Sequence, residues 1–493
     1  MFSNVSSQVD RRLDSLEGHL KQENPVLLQV VQTFRELDRV AQRMGVISRD
    51  ESFATRVPWW PLISILGTFS SGKSSFINSF IGQKLQRTGN QAVDDKFTVL
   101  CYSNDEQVRT LPGLALDADP RFPFYQISQQ LEHVVKGEGK RIDAYLQLKT
   151  CQTERLRGKI LIDSPGFDAD AQRTSTLRIT EHIMDLSDLV LVFFDARHPE
   201  PGAMKDTLDH LVKNTINRSD SNKFLFILNQ IDCTVREDNL EDVTAAWQRS
   251  LAQSGLTAGR FYQIYNKDAA LPIENDTLRK RYEGKRQQDM DEIDERIRRV
   301  EVERVYRIIG VLEHTARLLL HQVAPLTRNL LQRWRKYTLM LDVMLVVLLG
   351  VGVQSLVAAG HPVGSWLDLN TWAVQPLWIQ VVVAILALAG VSSITLLHFM
   401  LRKVTARFLT MRIGQEIPEA DLQEYVRNAF AKNTQPWRPL LNVQPSGWGR
   451  AAVARIEKVL KSTDQFVQEL NDRFTNPSGR SDSHNPTISQ EPS

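Results

Sequence analysis

Between residues 25 and 44, apolar positions recur every three or four residues, at Leu27, Val30, Val31, Phe34, Leu37, Val40, Ala41 and Met44. They form one stripe of an amphipathic helix with Pro25 in its first turn. From residue 56 to 275 the pattern changes. Short apolar runs at 62–66, 159–162, 189–194, 224–228 and 262–265 alternate with longer helical segments. Runs apolar on both faces are what buried strands of an α/β sheet require, so this stretch predicts a doubly wound domain. From 276 to about 331 the chain is highly charged, with a second helical stripe at Ile293, Ile297, Val300, Val305, Ile308, Ile309, Leu312 and Ala316.

That helix feeds into an apolar block at 339–359, and a second block follows at 377–399. Each approaches the ~20 residues that cross a bilayer as a helix. Arg328, Arg333, Arg335 and Lys336 precede the first block, Arg402, Lys403, Arg407 and Arg412 follow the second, and the segment between them has no Lys or Arg. The positive-inside bias predicts a hairpin with both long arms in the cytoplasm and Trp366, Trp372 and Trp378 at the interfaces. The alternative is a hairpin buried in a soluble core. Asp342 lies one turn inside the first block and is read as a headgroup-depth residue, with an intramembrane functional carboxylate as the alternative.

After 401 the pattern is helical to 474, with a break at 434–449, and 475–493 has the composition of a disordered tail. The organisation predicted is therefore N-terminal amphipathic helices (1–55), a nucleotide-binding domain (56–275), a helical stalk (276–337), a transmembrane hairpin (338–400), C-terminal cytoplasmic helices (401–474) and the tail. The first twenty residues carry charges and no apolar core, so no secretory signal is expected and the chain is expected to start in the cytoplasm. A plasma or inner membrane location follows if the source is bacterial. A length of 493 residues leaves room for two to four such units. With 60 basic against 58 acidic residues and no long basic tract, nucleic acid is not an expected partner. Cys101, Cys151 and Cys233 match no zinc spacing and read as free thiols.

The chemistry begins at "GTFSSGKS". Gly67, Gly72, Lys73 and Ser74 fit G-x-x-x-x-G-K-[ST], a loop whose N–H groups wrap phosphates, with the lysine on the β/γ-phosphates and the serine hydroxyl on Mg²⁺. An apolar strand before it and a helix after it supply the context that gives the motif its meaning. "DSPG" then places Asp163 directly after a strand, to hold Mg²⁺ through water, and Gly166 where its N–H can swing toward a γ-phosphate. In "NQID" an aspartate, Asp232, can accept from both guanine N1–H and the 2-amino group, while Asn229 closes the strand. Adenine offers no such pair of donors, so GTP is preferred and ATP is the alternative. Gln230 stands where GTPases usually carry lysine. Asn266 and Lys267 in "YNKD" are placed to flank base and ribose.

With "GTFSSGKSS" (Ser71 and Ser75 included), "DSPG", "NQID" and "YNKD" in this order, residues 25–330 resemble the dynamin superfamily of large GTPases, in flavour EH-domain-type and bacterial dynamin-like members. The separation of 89 positions from Ser74 to Asp163 suits a large GTPase and not a Ras-sized domain. The hairpin is more like mitofusin-type members, and no EH, pleckstrin-homology or proline-rich domain is recognised. The resemblance implies GTP hydrolysis with Mg²⁺ and self-association through G-domains coupled to remodelling or tethering of a lipid membrane. It also implies that Ser70 contacts the β/γ bridging oxygen and helps hold a monovalent cation. Phe167 occupies the position of the Ras-type glutamine, which dynamins also lack. The switch I residue is open between Thr88 and Thr98, with Asp94 falling near the aligned Mg²⁺-ligand position. A nucleotide-gated switch or scaffold with slow or no hydrolysis, using GTP or ATP, is the alternative function.

Overall fold

The computed structural model describes residues 8–68, 70–88, 96–119, 121–122, 142–166, 174–198, 221–253, 255, 259–270, 272–359 and 376–475. Asp94, Phe167, Trp366, Trp372 and all but the first residue of the expected tail lie outside them. The chain divides into two compact units, one of Met1–Gln29 with Ala54–Ile309, the other of Val30–Phe53 with Gly310–Ser493.

The first unit opens with α1 (Gln8–Glu23), whose Leu13, Leu16 and Leu20 are buried. A second helix, α2 (Pro25–Met44), covers the first predicted stripe and runs on into the other unit. The unit is built on eight strands: β1 (Leu62–Gly67), β2 (Phe97–Tyr102), β3 (Arg109–Pro112), β4 (Leu146–Cys151), β5 (Ile160–Asp163), β6 (Leu189–Asp195), β7 (Phe224–Asn229) and β8 (Arg260–Gln263). Their order across the sheet is β3-β4-β2-β5-β1-β6-β7-β8. The stretch from β5 to β8 is parallel, as a doubly wound domain requires. β2 enters antiparallel to β5, and β3 antiparallel to β4, so the sheet as a whole is mixed.

Alternate residues of each central strand face opposite ways, and both faces are covered. Ile63, Leu191 and Ile227 pack with Phe76, Ile77 and Phe80 of α3 (Lys73–Ile81). On the other face Val190, Val192 and Phe226 pack with Met184 and Trp247. Short helices α4 (Leu114–Ala118) and α5 (Ile142–Tyr145) flank the β3–β4 edge, and α6 (Thr174–Leu186) and α7 (Leu240–Gln253) cover the second face. Five of the strands coincide with the predicted apolar runs, within two residues at each end. Three do not. β2 is buried throughout but lies where a switch loop was expected, β4 carries Gln147, Lys149 and Thr150, and β3 is an exposed edge strand that stops at Pro112.

The charged stripe forms α8 (Asp276–Leu318). Ile293, Ile297 and Val300 belong to the same buried cluster as Ile63 and Phe76, so the first part of this helix packs on the sheet. Asp188 joins helix to sheet. Its Oδ2 accepts from the Leu62 N–H at 3.0 Å and from Arg304, and its Oδ1 lies 2.7 Å from Arg307.

Past residue 309 the same helix continues through a π-turn, Leu319–Val323, into α9 (Ala324–Ala358). The π-turn stands just before Pro325, which has no N–H to return to the preceding turn. In the second unit α9 lies beside α10 (Leu377–Glu416) along a polar ladder. Trp334 Nε1 donates to the Arg402 carbonyl, Thr338 meets Thr405 at 2.9 Å, and His398 Nδ1 lies 2.9 Å from Asp342 Oδ2. The apolar parts of α9 and α10 have mean hydropathies of 2.2 and 2.3, and none of either is buried. A run of exposed Val, Leu and Ile this long is a surface that water does not stabilise. The unit is completed by α11 (Ala420–Asn433) and α12 (Arg450–Thr475). Phe53 packs edge-on against Tyr425, and Lys432 Nζ donates to the carbonyls of Gln42 and Arg43.

Candidate nucleotide-binding site

Every residue of β1 is buried, and the strand delivers the chain to Gly67 at its C-terminal end. A Cβ there would stand 2.6 Å from the Phe193 carbonyl oxygen, so only glycine lets the loop leave the strand beside β6. Ser70 sits at φ 60°, a left-handed conformation rare for serine, and Gly72 at φ 83°. Together they curl the loop so that α3 begins at Lys73 with no side-chain cap on its first N–H groups. A helix start of this kind presents donors and a positive dipole to an anion.

Inside the loop Lys73 is buried, and its Nζ donates to the carbonyls of Gly67 (2.9 Å) and Thr68 (3.0 Å). Burial lowers its pKa to about 8, against an upward pull from Asp163. Ser71 Oγ donates to Thr68 O at 2.8 Å, and Ser74 and Ser75 are half-buried on the first turn of α3. The Asp163 carboxylate ends β5, with Oδ2 accepting from Gln86 Nε2 at 2.5 Å, and Gln86 Oε1 accepts from Lys149 Nζ at 2.6 Å. Gly166 is half-buried three residues on.

The Asn229–Asp232 segment is tied directly to the phosphate loop. Asn229 Nδ2 donates to Ser71 O at 2.8 Å, and Gln230, itself at φ 64°, donates through Nε2 to Ser70 O at 2.6 Å. Asp232 stands half-buried in the 3₁₀ turn Ile231–Arg236 that follows. The Ile231 N–H reaches Ile264 O at 3.4 Å, which brings the segment after β8 alongside. Asn266 is half-buried there with Oδ1 accepting from the Asp268 N–H, and Lys267 is exposed, 4.0 Å from Glu283.

Ser70, Ser71, Gly72, Lys73, Asn229 and Gln230 are thus joined by hydrogen bonds or close contact, and Asp163 is linked to Lys73 electrostatically. The switch I pair is placed differently. Thr98 is buried within β2, its hydroxyl accepts from Gln147 Nε2 at 2.8 Å, and its Cα is in register with Asp163; Thr88 is exposed. Neither is hydrogen-bonded to the phosphate loop among the described residues.

Sequence reasoning missed three contributors. Gln86 and Lys149 form the buried chain that ends on Asp163. Arg197 is held by Asp195 at the end of β6 and reaches Ser70 O at 3.3 Å. The "FFDAR" run, a carboxylate at a strand end two residues before an arginine, was a legible signal for Arg197. Gln86, between α3 and β2, and Lys149, inside β4, give no such signal.

A metal would meet hard oxygen donors here, the Ser74 hydroxyl and the Asp163 carboxylate, which is the set Mg²⁺ takes. The narrow approach at Gly72, where a Cβ would lie 2.2 Å from Asn229 Nδ2, fits a loop that closes on phosphate through backbone alone.

Residues 63–231 match the family model described as Dynamin family. Human EH domain-containing protein 1 is 27% identical over 182 residues, 35% of this chain and 31% of that protein. The probable transmembrane GTPase FZO-like of Arabidopsis thaliana chloroplasts is 25% identical over 197 residues, 40% of this chain and 17% of that protein. The chain thus spans less than a third of the length of these relatives. A solved structure of an oligomerised bacterial dynamin pair, at 15% identity, overlaps 95% of this chain and 77% of its own with a TM-score of 0.31, too loose to carry structural meaning. The match begins in β1 and ends one residue before Asp232, so it encloses the phosphate loop, Asp163 and Asn229. Residues 63–231, and with them the candidate nucleotide site, are thus a domain of the Dynamin family type.

Proposed function

We propose that this protein is a membrane-anchored dynamin-like GTPase that binds GTP with Mg²⁺, hydrolyses it, and couples turnover to self-association and to tethering or remodelling of the bilayer that holds it. The observation that supports this most is the latch from Asn229 and Gln230 to the phosphate loop, because it makes base recognition and phosphate binding one structural unit. In that site the loop N–H groups and Lys73 hold the phosphates, with Ser70 and Ser71 on the loop's outer turn. Ser74 and Asp163 hold the metal, which supplies charge neutralisation at the β- and γ-phosphates. Gly166 would sense the γ-phosphate, Asp232 would read guanine, and Asn266 and Lys267 would flank the base. Ser70 is the residue to hold a monovalent cation. Thr98, buried in β2 with its hydroxyl accepting from Gln147 of β4, is the switch I residue this reading takes for catalysis.

The exposed apolar faces of α9 and α10 support a transmembrane hairpin, and the basic residues at its base support both arms lying in the cytoplasm. A second reading, a nucleotide-gated switch or scaffold with slow turnover and a place for ATP, is favoured by Gln230, which spends its amide on the loop where lysine is usual.

The test is affinity and turnover of the purified protein for GTP and ATP, with and without Mg²⁺ and liposomes. Mg²⁺-dependent GTP binding, with turnover that rises with surface density, is expected. Asp232→Asn should weaken GTP far more than xanthosine triphosphate, since an amide cannot accept from both guanine donors. Absence of Mg²⁺-dependent nucleotide binding would leave only the scaffold.

A further inference from the structure

We propose that the 434–449 segment, with the arginine-lined cleft behind it, is a site for an anionic phospholipid headgroup at the membrane surface. The proposal rests on the reading of α9 and α10 as a transmembrane hairpin.

The first observation is the cleft itself. It encloses about 360 Å³ in the second unit, between the end of α2, the 438–449 segment and the start of α12. Arg43, Arg438 and Arg455 line it, together with Asn442 and Ser446, and no Asp or Glu does. Its size is that of a small-ligand site. Arg438 is fixed in place, its Nη2 donating to Asn433 Oδ1 at 2.7 Å and to Gln444 O at 3.1 Å. Gly449, Ala451 and Ala452 add the first turn of α12, the positive end of a 26-residue helix. Guanidiniums with hydroxyl and amide donors suit a phosphodiester oxygen, and nothing in the wall repels one. Along the chain no acidic residue occurs between Glu424 and Glu457, whereas Arg427, Lys432, Arg438, Arg450 and Arg455 do.

The second observation places this cleft at a bilayer surface. Arg402 is the first charge after the second apolar block, and its guanidinium donates to the carbonyls of Gln435 (3.4 Å), Pro436 (3.3 Å) and Arg438 (2.6 Å). It also lies over the rings of Trp334 and Phe399. The base of the hairpin and the 434–449 segment are therefore one assembly, at the depth where an apolar helix meets its first flanking charge. At that depth Trp437 is 76% exposed and Leu441 74% exposed. An exposed tryptophan and leucine beside an arginine cluster have a partner of matching chemistry in a lipid interface: acyl chains and glycerol for the rings, phosphate for the guanidiniums.

The experiment uses the full chain reconstituted into phosphatidylcholine vesicles with or without phosphatidylglycerol, both with brominated acyl chains. The contribution of Trp437 is taken as the fluorescence difference between the parent and Trp437→Phe. Insertion of the hairpin is scored separately by carbonate-resistant flotation. Quenching of Trp437 is expected in the phosphatidylglycerol vesicles, falling by at least half without that lipid and in Arg43→Gln with Arg455→Gln. Lysine at both positions should restore most of it, which separates lost charge from lost folding. Trp437 left unquenched while the hairpin floats would overturn the proposal and leave the membrane reading intact; failure to float would remove both. Equal quenching in both lipids and in the glutamine variant would show that the cleft holds no headgroup. If inorganic phosphate raises the thermal midpoint of the detergent-solubilised parent, but not of the glutamine variant, and lipid composition has no effect, the ligand is a free anion and the lipid assignment falls.

Discussion

Gly72 shows how narrowly the phosphate loop is built. Its φ of 83° lies where L residues are strained, and a Cβ would overlap the amide with which Asn229 holds Ser71. Gly72→Ala should therefore lower nucleotide affinity by more than tenfold in a titration with a fluorescent GTP analogue, with the sheet intact by circular dichroism. Parent-like affinity would mean that the Asn229 latch is dispensable. Lys73 gives a second test. Burial holds its pKa near 8 in the protein, below the 10.5 of a solvated lysine, so between these values the unfolded chain binds the extra proton and stability rises with pH. Bound phosphate favours the charged amine and raises that pKa. Affinity should accordingly be flat below about pH 8 and fall by up to about tenfold per pH unit above it. Lys73→Met should be weak at every pH and lose this slope; a parent that binds equally at pH 7 and pH 9.5 would contradict the assignment.

At the scale of elements, the joint between α8 and the sheet rests on one buried carboxylate. Asp188 takes two arginines of α8 and the first N–H of β1, and it is 1% exposed against 9% for Arg304. Breaking a buried pair on one side leaves a charge without its counter-ion, which typically costs about 3–5 kcal/mol. Arg304→Met should destabilise toward the lower figure, because Arg307 still reaches Asp188, and adding Asp188→Asn should recover part of the loss. Urea midpoints of the two variants decide it, and an additive double mutant would show that the pair does not act together. This joint, like the Lys149–Gln86–Asp163 chain, could not be read from the sequence, since nothing local marks an aspartate after α6 as the partner of an arginine more than a hundred residues on. What could be read was whatever repeats locally. The stripes of α2 and α8 are buried at every named position, and the apolar strands β1, β5, β6, β7 and β8 are in place. β2 escaped because its run falls within the expected switch loop, and β3 and β4 because their own residues are largely polar; a strand such as "LQLKTC" gains its burial from β2 and β3 rather than from its own pattern.

For the whole molecule the decisive feature is that one helix, Asp276–Ala358, belongs to both compact units. Its first part is packed into the sheet core through Ile293, Ile297 and Val300, and its last part is the first apolar block. The division between units falls at Gly310, a helix-interior glycine at which an added Cβ would touch nothing within 4 Å. Gly310→Ala should therefore stabilise the helix, by about 1 kcal/mol on propensity alone. A Gly/Ser segment inserted at the same point does the opposite and interrupts the helix with a random coil, which transmits little directed force. Among the described residues the hydrogen bonds of the nucleotide site lie within the first unit, so the insertion should leave GTP affinity and basal turnover near those of the parent. If nucleotide-driven motion reaches the bilayer through this helix, vesicle tethering or remodelling by the reconstituted insertion variant should fall several-fold while the alanine variant keeps it. An insertion variant that remodels vesicles as well as the parent would remove the helix from the coupling and leave the protein a tether gated by nucleotide alone.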